Sequence, residues 1–368
     1  MGNRRRRLDF LVGVPIIFVL GFVRRLLRGK RNVPTAIKEI GLLQTVAIGD
    51  TVIMSAVWRD LRRQFPSARL RVLAGESNYD ISQLLFGAEN VQLLPVEDPW
   101  QSLLLAARMH FDVLIDFGPW PRWNVVLAMV MPALYRIGYA TEGQYRHYAY
   151  DCAVVHSPDV HEMENQRALI AVLGIKPEKT PGFPPEALAH DGGDPAMART
   201  VILHAWSGGF KGFHKLWPTG HWVELGRRLA QAGFAIELSG SQDDRAKSEN
   251  LKEAMSQAGV SVTNDAGNIS FADLIKKIAA AHAVISVDTG IAHVAAAAGA
   301  FTIGLHGPSP ARRWRAIGPR AVAIESPCAG CGFLDLGFEY PPVVPPCMEA
   351  ITVDRVWAEF LKHPKASP

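Results

Sequence analysis

The feature that most constrains the fold is an alternation between short apolar runs and longer segments of helical periodicity. In residues 42–65, LLQTVAIGDTVIMSAVWRDLRRQF, an apolar run gives way to a segment in which Ile53, Val57 and Leu61 recur at helical spacing. Pro66 ends that segment, and a second apolar run follows. Parallel strands need long crossovers, usually helical, so this pattern predicts an α/β fold with helices on both faces of a parallel sheet.

The same alternation continues along the chain, with one interruption. The apolar runs predict strands at 42–48, 70–74, 90–94, 112–116, 135–139, 152–156, 200–205, 234–239, 260–263, 283–287 and 301–306. The stretch 176–195 is dense in Pro and Gly, has no periodicity, and is typical of a linker between domains. A chain of 368 residues suits two domains of this kind, and we expect a cleft between them.

The predicted organisation therefore has five parts. They are an N-terminal basic and apolar segment (1–37), a first Rossmann-like domain (38–180), a linker (181–195), a second Rossmann-like domain (196–350), and a terminal helix with a tail (351–368).

Positive charge is concentrated at the N-terminus. The formal net charge is +4, yet residues 1–31 alone carry nine arginines and lysines, so the rest of the chain is slightly acidic. A basic surface across the folded domains is the usual footprint of nucleic-acid binding. The charge pattern therefore argues against a nucleic-acid partner.

Between the basic clusters lies LVGVPIIFVLGFV, Leu11–Val23, thirteen residues without a charge. A transmembrane helix needs about 20 apolar residues, and no small-residue cleavage site follows this run as it would in a signal peptide. Cations on both flanks favour an anchor that lies in one leaflet of an anionic membrane surface. An N-terminal helix packed on the body of the protein is the alternative, and the sequence leaves it open.

Four cysteines are present, too few for a disulfide scaffold at this length and consistent with a reducing cytosol. Cys328, Cys331 and Cys347 form a C-x2-C-x15-C-M pattern. A structural zinc site would need a fourth ligand near Cys347, where Met348 stands instead. We therefore expect no metal, and the role of these cysteines stays open.

Three stretches carry residues suited to ligand chemistry. The first is Asp288-Thr289-Gly290, where an apolar run ends and an alanine-rich helix begins, with His293 about one turn later. The free amides and positive dipole of a helix N-terminus attract phosphate, and Gly290 permits close approach of a ligand. The alternative is structural: Asp288 caps the helix, and His293 is a core residue.

The second stretch is WSGGFKGFHKLWP, Trp206–Pro218, which follows a predicted strand. Ser207, Gly208 and Gly209 form a turn rich in amides, while Lys211 and Lys215 supply cations. Small residues followed by lysine after a strand suit a diphosphate, although this is not a Walker motif. An ordinary exposed loop is the alternative.

The third stretch is AIGDTVIM, in which Asp50 follows the first predicted strand. A carboxylate at that position either caps the next helix or accepts a proton from a substrate hydroxyl.

Together these stretches resemble glycosyltransferase family 9, the lipopolysaccharide heptosyltransferases. The residues that carry the likeness are IGDTVIMSAVWRDLRRQFPSARLRVLAG, HAWSGGFKGFHKLWP and SVDTGIAHVAAAAGAFTIGLHGPSP, in that order, over roughly residues 38–360. The resemblance implies a GT-B architecture of two Rossmann-like domains. It also implies an inverting transfer from a nucleotide sugar, usually ADP-heptose, that needs no metal or other cofactor.

The resemblance further implies roles for individual residues. The first domain would face a lipid-linked saccharide acceptor, with Asp50 as the base for its hydroxyl. The second would hold the donor through Asp288, Thr289, Gly290 and His293, together with the turn 207–209. Lys215, in a Lys-x-Trp-Pro pattern, would neutralise the leaving diphosphate. Family members commonly carry Glu after the next strand, where this chain reads GSQDDRAK, so Asp244 is the nearest counterpart.

The expected function is therefore transfer of a sugar to lipopolysaccharide core or another glycolipid, in the cytoplasm at the inner membrane. The sequence leaves two alternative functions open. One is a family 9 enzyme that uses another nucleotide sugar, and the other is a membrane-anchored protein that binds a nucleotide sugar without turnover.

Overall fold

The computed structural model describes residues 3–29, 31–189, 195–209, 212–328 and 346–363, with the backbone alone over residues 3–10, 28 and 195. The described chain forms two compact units, unit 1 (Met1–Thr180) and unit 2 (Pro181–Pro368). Each unit contains one six-stranded sheet in which every strand pair is parallel. The predicted α/β fold with parallel sheets is confirmed.

Unit 1 begins with a long helix and then alternates strands and helices. Its elements are α1 (Asn3–Arg28), β1 (Glu39–Gln44), α2 (Ile48–Gln64), β2 (Arg69–Ala74), α3 (Tyr79–Phe86), β3 (Val91–Leu93), α4 (Pro99–Arg108), β4 (Phe111–Asp116), α5 (Arg122–Val130), β5 (Ala133–Ala140), β6 (Cys152–Val155) and α6 (Glu162–Ala171). The strand order is β3-β2-β1-β4-β5-β6. The order reverses between β1 and β4, and ligands of such sheets bind outside the carboxyl ends of the strands at this switch point.

Unit 2 repeats the arrangement. Its elements are α7 (Pro185–Leu188), β7 (Thr200–His204), α8 (Thr219–Gln231), β8 (Ala235–Leu238), α9 (Arg245–Gln257), β9 (Thr263–Asn264), α10 (Phe271–Ala280), β10 (Ala283–Val287), α11 (Gly290–Ala297), β11 (Thr302–His306), α12 (Ala311–Trp314), β12 (Ala321–Glu325) and α13 (Val353–Leu361). The order β12-β11-β10-β7-β8-β9 places the switch point between β7 and β10.

The first strand differs from its predicted bounds. The sequence predicts a strand over 42–48, but β1 covers Glu39–Gln44 and α2 begins at Ile48. Ala47 adopts a left-handed φ of 69°, which ends the extended run and turns the chain into the helix. At the other end, the Asp112 carboxylate accepts hydrogen bonds from the backbone amides of Lys38 and Glu39 at 2.7 and 2.9 Å, which fixes where β1 starts.

Helix α1 packs on unit 1 along one stripe. Ile17 is fully buried in the hydrophobic core of unit 1, and Gly21 is buried against Tyr148. Part of the linker predicted at 181–195 is described and contains the short helix α7, while residues 190–194 lie outside the described part. Among the described residues, no helix combines the length and apolar character that crossing a bilayer requires.

Candidate functional site

Two loops meet at the switch point of unit 2. One follows β7 and ends in a short 3-10 helix, Gly212–Lys215, and the other follows β10 at Asp288. The Nζ of Lys215 lies 2.7 Å from Oδ2 of Asp288, with the two side chains 21% and 8% exposed. The structure thus joins two of the residues that the sequence singled out, although 73 positions separate them in the chain.

The Asp288 carboxyl stays ionised in this position. Its burial opposes ionisation, but the Lys215 ammonium and the nearby His306 outweigh that cost and hold the pKa of Asp288 well below its usual value. An ionised carboxylate only accepts hydrogen bonds, so Asp288 fixes the Lys215 cation and offers its remaining lone pairs to the hydroxyls of a ligand.

The alternative role for Asp288, as helix cap, is wrong. Thr289 is the cap of α11: its Oγ1 accepts a hydrogen bond from the amide of Ile291 at 3.1 Å. Gly290 is the first residue of α11, and His293 is buried on the same helix. The four residues therefore lie together at the carboxyl edge of β10, as the pattern predicts.

The loop after β7 is held by side-chain contacts at its far end, whereas its turn at residues 207–209 is largely exposed. The indole of Trp217 donates to the carbonyl of Ile351 at 2.8 Å and packs edge-on against Trp222. A Cβ on Gly212 would lie 2.4 Å from the carbonyl oxygen of Ser207, so the loop folds back tightly on itself there. Ser207 is partly exposed, Gly208 and Gly209 are exposed, and Gly209 has a φ of 82°. Lys211 lies outside the described residues.

Asp244 is committed to local contacts. Its Oδ2 accepts hydrogen bonds from the amide and hydroxyl of Ser241 at 3.1 and 2.6 Å, and Lys247 contacts its Oδ1 at 2.9 Å. Burial opposes ionisation of this carboxyl, and the Ser241 and Lys247 contacts overcome it, so its pKa is lowered. It lies after β8, one strand away from the switch point, and forms a capping box with Ser241 at the 3-10 turn Gln242–Asp244.

Sequence reasoning missed two histidines at this edge. His306 is buried at the end of β11, and its charge helps to lower the pKa of Asp288. The pKa of His306 is itself lowered, mainly by burial. His204 ends β7 and its Nδ1 lies 3.0 Å from the Ser239 hydroxyl. Both were visible as polar residues that close apolar strands, the signal that identified Asp288.

In unit 1, Asp50 lies in the first turn of α2, directly after the loop that follows β1. Asn78 holds that loop: its Nδ2 donates to the Gln44 carbonyl and to the Thr51 hydroxyl, both at 2.8 Å. Gln166 donates to the backbone carbonyl of Asp50 at 3.1 Å. The structure thus places Asp50 at the switch point of unit 1, on a well-fixed turn.

A buried polar network lies beside this turn and was not anticipated. Asp116, at the end of β4, accepts from Arg146 at 2.9 Å and from the Tyr150 hydroxyl at 2.5 Å. Burial raises the pKa of the Tyr139 hydroxyl well above its usual value, and Glu162 and Asp50 raise it further. Asp116 ends an apolar run, so the signal was present, but the sequence does not show its partners from beyond β5.

No group of three or more His, Cys, Asp or Glu side chains suited to a metal occurs within the described ranges. Cys328 is a partly exposed free thiol and Cys347 is buried, while Cys331 lies outside the described residues.

Sequence comparison connects this geometry to known proteins. The family model described as glycosyltransferase family 9 (heptosyltransferase) matches residues 109–332, a range that includes Lys215 and Asp288 but not Asp50. Lipopolysaccharide heptosyltransferase 1 of Pseudomonas aeruginosa is 33% identical over 141 residues, 38% of this chain and 37% of the relative. Lipopolysaccharide heptosyltransferase 2 of Salmonella typhimurium is 35% identical over 96 residues, 26% of this chain and 28% of the relative. The matches thus span about a third of the length of these curated relatives.

Solved structures show the same fold. The structure of Escherichia coli ADP-heptose lps heptosyltransferase II has a TM-score of 0.68 at 19% identity, covering 89% of this chain and 98% of that one. Escherichia coli heptosyltransferase WaaC with ADP has a TM-score of 0.70 at 16% identity, covering 89% and 100%. The predicted GT-B-type fold is confirmed, and the family match over more than half of the chain settles its relationship. The chain belongs to glycosyltransferase family 9.

Proposed function

We propose that this chain is an inverting glycosyltransferase that moves heptose from ADP-heptose to lipopolysaccharide core or another glycolipid. The observation that carries the proposal is the Lys215–Asp288 ion pair at the carboxyl edge of unit 2, directly before α11. The names of the relatives support heptose as the sugar and lipopolysaccharide as the product, and two of the solved relatives contain ADP or an ADP-heptose analogue.

Unit 2 is the proposed donor side, within residues 196–350. The diphosphate would lie at the switch point, where Lys215 Nζ compensates the negative charge that grows as the bond to the sugar breaks. The amides of the turn 207–209 and the start of α11 would add hydrogen bonds, with Thr289, Gly290 and His293 around the nucleotide sugar. Asp288 and Asp244 would accept from donor hydroxyls.

Unit 1 is the proposed acceptor side, within residues 38–180. The acceptor hydroxyl oxygen would attack the anomeric carbon of the heptose, and the bond from that carbon to the diphosphate oxygen would break, with its electron pair leaving on ADP. Asp50 would take the hydroxyl proton. Because the hydroxyl becomes more acidic as its oxygen bonds to an ion-like sugar centre, an ordinary carboxylate suffices as the base.

The proposed place of action is the cytoplasmic face of the inner membrane, where a nucleotide-sugar donor from solution meets a lipid-linked acceptor. The N-terminal segment (1–37) would contact the anionic membrane surface. The cationic charge of Lys215 supports a reaction that needs no metal, and no other cofactor enters the proposed step.

Two measurements test the proposal. Calorimetry with ADP-, UDP- and GDP-sugars should give binding for ADP-heptose in preference to the others. A transfer assay with ADP-heptose and a lipopolysaccharide acceptor that lacks heptose should give a product heavier by one heptose. Preferred binding of a UDP- or GDP-sugar would contradict the proposed donor, and ADP-heptose binding without product would show a binding protein rather than an enzyme.

A further inference from the structure

Helix α1 presents the largest set of exposed apolar side chains on the described chain. Ten of the twenty large hydrophobic residues that are exposed lie between Leu11 and Leu27. Soluble proteins rarely expose contiguous apolar patches of this kind unless a partner covers them. The question is which partner covers this helix.

One stripe of α1 is fixed to unit 1 and is unavailable to any partner. Ile17 is fully buried in the core, and a Cβ on Gly21 would lie 2.7 Å from Cβ of Tyr148. One turn further on, Nη2 of Arg24 lies 2.9 Å from both carboxylate oxygens of Asp151, and both side chains are largely buried. The helix is therefore a docked element of unit 1.

The opposite stripe is apolar and open. Val12, Val19 and Leu26 share one stripe of the helix because they recur every seven residues, close to two full turns at 100° per residue. Steps of two residues, such as Ile17 to Val19 and Arg24 to Leu26, turn about 200°, so this stripe lies across the helix from the docked one. They are 48%, 55% and 70% exposed. Ile16, Phe22, Val23 and Leu27 flank them and are exposed as well. We call this set the outer face of α1.

Two neighbours on the body extend the outer face. Tyr145 is exposed and packs edge-on against Phe18 at a centroid distance of 6.0 Å. Leu134 is exposed, and its carbonyl accepts a hydrogen bond from Arg31 at 2.9 Å. The apolar surface is therefore composite, with residues from α1 and from β5 and the loop that follows it.

Charge at both ends of α1 indicates the chemistry of the partner. The sequence places Arg4, Arg5, Arg6 and Arg7 in its first turns, and Arg25, Arg28, Lys30 and Arg31 at and beyond its end. Apolar surface bordered by cations at both ends complements the interface of an anionic bilayer, in which acyl chains lie beneath negative headgroups.

The direction of α1 sets how unit 1 would lie on that bilayer. Arg31 contacts Leu134 near the start of β5, whereas Phe18 contacts Tyr145 and Tyr148 in the loop that follows β5. Helix α1 therefore runs opposite to β5, and its N-terminal turns lie toward the carboxyl edge of the sheet. That edge carries Asp50, the proposed base.

We propose that the outer face of α1, with Tyr145 and Leu134, is the docking surface of this chain for an anionic lipid bilayer. The helix lies in the plane of the interface, so the strands of unit 1 run along the membrane and the edge with Asp50 opens beside it. A lipid-linked acceptor then reaches Asp50 without leaving the bilayer. The value of this orientation for catalysis rests on the proposed function, while the lipid contact itself does not.

Vesicle sedimentation tests the docking surface. The full chain should pellet with phosphatidylcholine vesicles that contain phosphatidylglycerol, and less with phosphatidylcholine alone. Leu26→Glu should lower the partition coefficient at least about tenfold, because a leucine that would enter the bilayer is replaced by a charge that anionic lipid repels. Val19→Glu combined with Leu26→Glu should abolish binding. Leu361→Glu on α13, at a leucine 58% exposed in unit 2, is the matched control and should bind as the parent chain does.

Equal binding by Leu26→Glu and Leu361→Glu, or a parent chain that pellets with neither vesicle, would overturn the proposal. A second copy of the chain is the competing occupant, so light scattering without lipid should show a monomer. A dimer that Leu26→Glu dissociates would also overturn it. Calorimetry with ADP on the same samples distinguishes failure of the docking proposal from failure of the proposed function. A variant that loses vesicle binding but still binds ADP has lost the membrane contact and kept the donor site.

Discussion

Lys215 Nζ and Asp288 Oδ2 lie 2.7 Å apart at the switch point of unit 2, joining the loop after β7 to the loop after β10. The two loops follow the carboxyl ends of the neighbouring strands β7 and β10, the edge at which α/β sheets bind ligands. Because Asp288 holds the Lys215 ammonium in place before a ligand binds, an arriving diphosphate finds a cation that is already positioned. This contact makes unit 2 a candidate diphosphate site rather than only a Rossmann-like domain.

Replacing Lys215 should damage the chemical step. Lys215→Ala removes the cation that faces the leaving diphosphate, and we expect kcat to fall by about 10²–10³. Lys252→Ala is the control, since Lys252 pairs on the surface with Glu249 at 2.9 Å within α9. Steady-state kinetics of both variants give the comparison. A Lys215→Ala enzyme with parental kcat and only a higher KM would assign this lysine to ground-state binding instead.

Much of the fold was predictable because parallel strands are buried on both faces and appear as continuous apolar runs. The strand β10 matches its predicted bounds, because its five residues form one run, apolar except for Ser286, that ends before Asp288. Two edge strands were not predictable in the same way. The run 260–263 contributes only one residue to the two-residue β9, and β12 (AVAIE) was not predicted although four of its five residues are apolar; at the edge of the sheet it is mostly only partly buried.

The sequence predicts which residues lie at the candidate site, but it does not predict which of them contact each other. Residues after strands can be found from sequence, so Asp50, Lys215 and Asp288 were identified. Which of them touch depends on strand order, which follows from packing over the whole sheet and not from local pattern. The Asp116–Arg146 ion pair at 2.9 Å shows the limit, because Arg146 comes from a loop with no distinctive motif.

The stability of the protein should fall in acid partly because of His204. Burial lowers the pKa of His204 to about 4, against 6.5 for an exposed histidine. As pH falls from 6.5 to 4, His204 becomes protonated in the unfolded chain but stays neutral in the folded chain. The free energy of unfolding therefore falls by up to roughly 3 kcal/mol through this residue. Above pH 6.5 this contribution vanishes.

His204→Gln should therefore reduce the pH dependence of stability in this range. Urea unfolding at pH 7 and pH 4.5 measures the free energy of unfolding, and the gap between the two values should shrink by roughly 2 to 3 kcal/mol. His110→Gln, at an exposed position in unit 1, should leave the gap unchanged. An identical gap in the parent and His204→Gln proteins would show that folding does not suppress the protonation of His204 at pH 4.5.

Gly21 should be required for docking of α1. Alanine there would place Cβ 2.7 Å from Cβ of Tyr148, which forces the helix away from the body at a cost of about 1–3 kcal/mol. Gly220→Ala is the control, since a Cβ there meets nothing within 4 Å. Hydrogen exchange over α1 should accelerate about 5- to 150-fold in Gly21→Ala and stay unchanged in the control. Parental exchange rates in both variants would mean that the helix adjusts without loss.

Chelation of divalent metals should leave the transfer rate unchanged. The cation needed opposite a leaving diphosphate is supplied by Lys215, which Asp288 holds in place at 2.7 Å. Transfer rates measured with EDTA and with added Mg²⁺ should agree within error in the parent protein. Activity that EDTA abolishes and Mg²⁺ restores would contradict the proposed role of Lys215 as the main counter-charge.

Asp50→Asn should separate chemistry from donor binding. The amide cannot accept the hydroxyl proton, so we expect transfer to fall by about 10²–10⁴, while ADP-heptose affinity stays close to the parental value because the proposed donor contacts belong to unit 2. Asp80→Asn is a matched control, since Asp80 is an exposed carboxylate in the first turn of α3, one helix further along unit 1. Calorimetry and the transfer assay on the same preparations give both quantities. Weakened donor binding with parental turnover would place Asp50 in the donor site and leave the base to another residue of unit 1.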